Sequence, residues 1–209
     1  MTDPHSFLDA PEGTREEIMR ATYLALCEHG YAGLTIDRIG EEFPKSKSLV
    51  YHHYEGKDDL LLDFLDFVVD RFEAEVPLED ADGPRERLDA VLDHVLATPL
   101  PQGRREYLSA MVELRAQAAH DEAYREQFTR HDRFFTDRLV HLIERGIEAG
   151  DFREVDAEGV AAGLVATFNG AMTMRVTTAE DPVPTLRPAL EAALHEYLLT
   201  PGASRGQAR

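Results

Sequence analysis

Lysine is almost missing from this chain. Only Lys45, Lys47 and Lys57 occur, and the other nineteen of its 22 basic residues are arginines. Tryptophan is absent and Cys27 is the single cysteine. One cysteine excludes an intrachain disulfide and points to a reducing, cytoplasmic setting. No neighbouring base marks Cys27 as a nucleophile, so it reads as a small helix residue. No run of about 18 apolar residues is present, which excludes a membrane-spanning helix. The opening MTDPHSFLDAPEG is acidic and broken by prolines, unlike a signal or transit peptide. There are no internal repeats, no glycine-rich phosphate loop and no useful strand-like alternation, so an all-α fold is expected. No nucleophile, base and orienting group stand together. His52 and His53 diverge by about 100° on a helix, and His141 and Glu144 have no second pair beside them. Catalytic residues, a metal and a cofactor are therefore not expected, and no enzyme is expected.

The charge is lopsided. The net value is −18 for 209 residues. Residues 1–57 carry −4 and residues 58–209 carry −14, yet Phe43 to Lys57 carries +2. All three lysines lie in that one stretch. An acidic, lysine-poor chain resembles proteins of salt-loving organisms. In strong salt, counterion release supplies little affinity for any polyanion, so direct hydrogen bonds and fit must carry more of any such binding.

The stretch from Leu34 to Leu60 organises the rest. Ile36, Ile39, Gly40 and Phe43 form a short apolar stripe at helical spacing. Pro44 stops that helix and Lys45 completes a turn. Ser46 is an N-cap for a second short helix, Lys47 to Tyr54. Val50 and Tyr54 turn inward, while Lys47, Ser48, Tyr51, His52 and His53 face out. Almost every outward group donates hydrogen bonds, which suits phosphates and base edges. A helical adaptor that binds only protein would not need this surface.

Further helices flank it. The first runs from Arg15 to about His29, with Thr14 and Glu17 as a capping box and Gly30 as its stop. The fourth is expected from Lys57 to about Glu75. An acidic loop, Pro77 to Pro84, precedes a fifth at about Arg85 to Ala97. A sixth follows at about Arg104 to Ala119 and a seventh from Glu122 to Ala149. Asp156 caps an eighth that ends near Val176. A ninth runs from about Leu186 to Leu199, with Pro188 in its first turn. Residues 1–13 and 200–209 are expected to be disordered.

The residues Gly30, Leu34-Thr35-Ile36, Ile39-Gly40, Ser46, Leu49 to Tyr54 and Gly56 to Leu60 resemble the TetR/AcrR family of transcriptional regulators. The resemblance covers roughly Arg15 to Leu65. It implies a three-helix DNA-binding domain at 14–57 and an effector-binding and dimerisation domain at 58–199, about nine helices in all. The function it implies is a homodimeric repressor on a palindromic duplex, released by a small molecule. A protein-interaction module, or an activator without a ligand, is the competing reading. Lys47, Ser48 and His52 are candidates for base edges. By motif match, Thr35, Ser46, Tyr51, His53 and Lys57 face phosphates. Asp37, Glu41 and Glu42 depart from the family pattern, as do Pro44 and Lys45.

The family encloses its effector among helices four to eight. The candidates here are Phe64, Phe67, Tyr107, Tyr124, Phe128, Phe135 and Phe168, with Glu113, His131 and Asn169 as polar groups. Glu113 beside aromatic rings suits a cationic ligand. The family dimerises through its last two helices. Gly163, Thr167 and Gly170 on the eighth, with Leu190, Leu194, Tyr197 and Leu198 on the ninth, are the interface candidates.

Overall fold

The computed structural model describes residues 11, 13–75, 83–100 and 102–199. Among these, the regular structure is nine helices and one isolated bridge between Phe152 and Leu199. They are α1 (Thr14–Gly33), α2 (Ile36–Glu42), α3 (Lys47–His53), α4 (Lys57–Glu75), α5 (Pro84–Val95), α6 (Gln102–Gln117), α7 (Glu122–Ala149), α8 (Ala157–Thr177) and α9 (Val183–Leu198). The all-α expectation holds. No helix among the described residues is long and apolar enough to cross a membrane.

The chain divides into two compact units, residues 1–77 with 100–131, and residues 78–99 with 132–209. The division does not follow the expected break after residue 57, because α4, α6 and the first turns of α7 belong with α1 to α3. In the first unit α1 packs on α2, α4 and α6. Its core gathers Ile18, Met19, Leu26, Ile39, Val50, Leu61, Phe64 and Leu114. In the second unit, Leu88, Leu92, Ile143, Phe152, Leu164, Val183 and Leu198 form a separate core.

Three local expectations change. Thr14 does not cap α1. Gly13 does, at φ 112°, with no side-chain hydrogen bond, and the Thr14 hydroxyl accepts from Lys45 Nζ at 3.4 Å instead. Gly30 breaks α1 at φ 63° and ψ 172°, but the chain makes a last turn as far as Gly33. The ninth helix begins at Val183, so Pro188 lies inside it and not in its first turn. Asp181 explains the earlier start, since its Oδ1 accepts from the Val183 amide at 3.0 Å. The expected disorder at the two ends and most of the acidic loop lie outside the described residues.

Gly146, on α7, is required by packing. The amides of Asp151 and Phe152 donate to its carbonyl at 3.0 and 2.9 Å, and the Phe152 ring occupies the place of a β-carbon. Phe152 is a 2% exposed member of the core. Gly146→Ala is expected to displace that ring and cost about 1–3 kcal/mol by overpacking, against a helix gain of about 1 kcal/mol for replacing glycine. Urea unfolding followed by circular dichroism measures the balance. A variant more stable than the parent would show that the ring relocates freely.

Candidate nucleic-acid interface

The interface is built by two short helices and the turn between them. Thr35 starts α2 by accepting from the Arg38 amide at 3.2 Å. Ile36, Ile39 and Gly40 are buried, and Phe43 then anchors the turn at 4% exposure. Ser46 starts α3, its Oγ accepting from the Ser48 amide at 3.4 Å and lying 2.8 Å from the Ser48 hydroxyl. A seven-residue helix has little propensity of its own, so its seat on the core fixes it. Val50, fully buried, is that seat. Ser48, Tyr51, His52 and His53 are exposed, with Tyr51 at 55%.

Tyr54 secures the far end of α3. Its hydroxyl donates to Asp63 Oδ2 on α4, and the guanidinium of Arg15 on α1 holds the same carboxylate at 2.5 and 3.1 Å. Burial alone would raise the Asp63 carboxyl, but the hydrogen bonds from Arg15 and Tyr54, with the Arg15 charge, hold it below the ordinary carboxylate value. This triad fixes the angle of α3 to its supporting helices. Tyr54 is inward, as its spacing from Val50 requires, but its two partners are not legible in the sequence, because nothing local joins residues 15, 54 and 63.

Each lysine already has a partner within the chain. Lys45 pairs with Glu17. Lys47 lies 3.7 Å from Asp37 and 3.5 Å from Glu41. Lys57 donates to the Tyr31 carbonyl at 3.2 Å and sits 4.1 Å from the centre of the Tyr31 ring. Lys57 therefore stands at the start of α4 as expected, with one of its three protons used. The neighbouring Asp58 accepts from the hydroxyls of both Tyr31 and Tyr124 at 3.0 Å.

The ten pocket candidates separate. Phe64, Phe67, Tyr107, Glu113, Tyr124, Phe128 and His131 belong to the first unit, and Phe135, Phe168 and Asn169 to the second. Phe64, Phe67, Tyr124 and Phe128 are buried in the first core and Phe168 in the second. Tyr107 is tilted against Tyr23 at 6.1 Å, and His131 stands edge-on to Phe128 at 6.2 Å. Asn169 donates to Asp132 at 3.5 Å. Glu113 has a different task from the one expected. Its Oε2 accepts from the Tyr31 amide at 2.5 Å, beside the glycine break in α1. A shallow cleft between α4 and α7 is lined by Asp59, Asp63, Asp66, Glu126, Gln127 and Arg130, and by none of the ten. Burial pushes the Cys27 thiol up to about 11, in keeping with an unreactive helix residue.

The interface candidates also separate. Gly163 and Gly170 are exposed, with open space where a β-carbon would stand, and Tyr197 is 56% exposed. The Thr167 hydroxyl donates to the Gly163 carbonyl at 2.8 Å. Leu190 is half-buried. Leu194 and Leu198, expected on the outer face, are instead 8% and 0% exposed within the core of the second unit. They share that core with Leu92 of α5, Leu142 of α7 and Leu164 of α8.

The comparisons agree with this architecture. Residues 18–64 match the model of bacterial regulatory proteins of the tetR family. Residues 84–203 match the C-terminal region of BetI-type transcriptional repressors. The HTH-type transcriptional repressor AcnR of Corynebacterium glutamicum is 26% identical over 172 residues, 82% of this chain and 86% of that protein. The uncharacterized HTH-type transcriptional regulator YdeS of Bacillus subtilis is 30% identical over 148 residues, 68% of this chain and 69% of that protein. A TetR transcription regulator of Haloarcula marismortui has been solved; it is 38% identical, with a TM-score of 0.80 over 88% of this chain and 97% of its own. With a donor-rich α3 on its helix-turn-helix and these two matches, the chain belongs to the TetR family and is an all-α, DNA-binding transcriptional repressor.

Proposed function

We propose that α3 enters a major groove of a palindromic duplex as part of a cytoplasmic homodimer, and that a small molecule releases it. The supporting observation is the outer face of α3, where Ser48, Tyr51, His52 and His53 are exposed while Val50 is anchored in the core beneath. Lys47, Ser48 and His52 read base edges, while Thr35, Ser46, Tyr51, His53 and Lys57 meet phosphates. Lys57 has a second attraction for an anion, the free amides at the start of α4. Glu113, a candidate for the effector, also accepts from the Tyr31 amide at the break in α1.

The test uses a duplex recovered by selection from a random library, beside a scrambled duplex of equal length. Lys57→Ala is expected to weaken both alike and make the salt slope shallower by about one unit. Lys47→Ala is expected to relax sequence preference, costing about 1–3 kcal/mol at one base pair. Fluorescence anisotropy at several salt concentrations reads both. Equal losses and equal slopes for the two variants would overturn the division of roles.

A further inference from the structure

The placement of Lys47 carries more than a role in base reading. Its ammonium lies between Asp37 at 3.7 Å and Glu41 at 3.5 Å, one helical turn apart on α2. Its stem crosses α2 at Gly40, where an added β-carbon would stand 2.6 Å from Lys47 Cγ. A lysine stem laid in a glycine groove, with carboxylates on either side of its head, is a seat and not a chance encounter. The seat is shallow: the side chains of Lys47, Asp37 and Glu41 are 43%, 69% and 64% exposed. Pairs this open are weak, so the lysine can leave. Lys45 repeats the arrangement with Glu17.

We infer that Asp37 and Glu41 are positioning residues for DNA binding: they hold Lys47 across α2 until a phosphate or base acceptor takes it over. Binding then becomes an exchange of partners. A lysine that meets a phosphate releases a cation condensed on the duplex. When the same lysine leaves two carboxylates, those carboxylates take up cations from solution. Release and uptake offset each other, so Lys47 adds little to the salt slope. The contact costs affinity in dilute salt and loses little of it as salt rises. This inference rests on the proposed seating of α3 in the groove.

The test is a cycle of four proteins on the selected duplex: the parent, Asp37→Asn with Glu41→Gln, Lys47→Ala, and all three changes together. The amides keep the size of the side chains at exposed positions, so folding is expected to be unchanged. The double variant should bind roughly three- to tenfold more tightly in dilute salt, the gain expected from releasing two exposed ion pairs. Its salt slope should be steeper by about one unit, the contribution of one freed lysine charge that displaces a condensed cation in the groove. Both effects should disappear when Lys47 is also alanine, since the cycle isolates the coupling between acid and lysine. A gain that persists without Lys47 would show plain repulsion of DNA by the carboxylates and overturn the inference alone. An unchanged slope in the double variant would also overturn it. Absence of DNA binding by the parent would overturn the groove reading and this inference together.

Discussion

Arg175→Met is expected to lower the free energy of unfolding by about 1–3 kcal/mol, the usual cost of hydrogen-bond partners left unsatisfied. The Arg175 side chain is 1% exposed and close to the end of α8. Its Nε and one terminal nitrogen donate to Asp181 Oδ2 at 3.2 and 3.0 Å. The same terminal nitrogen donates to the Ala97 carbonyl at 2.6 Å, just beyond α5. Asp181 in turn caps the first turn of α9 through the Val183 amide. One guanidinium thus ties the ends of α5 and α8 to the start of α9. Methionine fills a similar volume but leaves the Asp181 charge and the Ala97 carbonyl without these donors. Urea unfolding gives the loss directly. Adding Asp181→Asn should restore part of it, because the stranded charge is then removed as well. A loss below about 1 kcal/mol would class the pair with exposed ones.

Gly170→Leu is expected to weaken self-association by about 1–3 kcal/mol per copy through overpacking, and duplex affinity with it. Among the described residues no atom outside the local helix backbone lies within 4 Å of a β-carbon at Gly170 or Gly163. A β-carbon there has open space, and leucine favours the helix by about 1 kcal/mol over glycine. The single chain should therefore fold as well as before or better. Only a second molecule against α8 can object. Gly163, Ala166, Gly170 and Met174 share that outer face, all exposed. Half-sites in successive grooves lie about 34–36 Å apart and require both recognition helices at once. Sedimentation equilibrium should show more monomer, and binding to the selected duplex should fall in proportion. An unchanged dimer with unchanged binding would move the interface off this face.

The helices most legible in the sequence were those with local punctuation. α4 and α7 run from Lys57 to Glu75 and from Glu122 to Ala149, as their glycine and apolar patterns require. Gly150 ends α7 in a left-handed turn at φ 79°. Asp156 caps α8 by accepting from the Gly159 amide at 3.1 Å. The outward residues of α3 followed from the spacing of Val50 and Tyr54. What stayed hidden depends on distant partners. Periodicity marked Leu194 and Leu198 as one stripe but could not say which neighbour covers it. Glu113 reads as a carboxylate among aromatics, and only the fold brings the Tyr31 amide to it. Asp37 and Glu41 were visible as departures from a family pattern, while their hold on Lys47 needed the crossing of α2 and α3.

The hydrogen bond from Tyr31 to Glu113 has a consequence for protein engineering. The two residues are 82 positions apart, yet the bond closes the broken end of the helix that supports the reading head. Tyr31 and Tyr124 likewise share the carboxylate of Asp58 across a long stretch of chain. A graft that lifts residues 14–57 onto a foreign scaffold would leave behind Glu113, Tyr124, Asp58 and Asp63. The natural seam for a chimera is consequently not the last residue of the helix-turn-helix. The part that reads DNA is discontinuous, residues 1–77 with 100–131, so α4 and α6 must travel with it while residues 78–99 stay with the other unit.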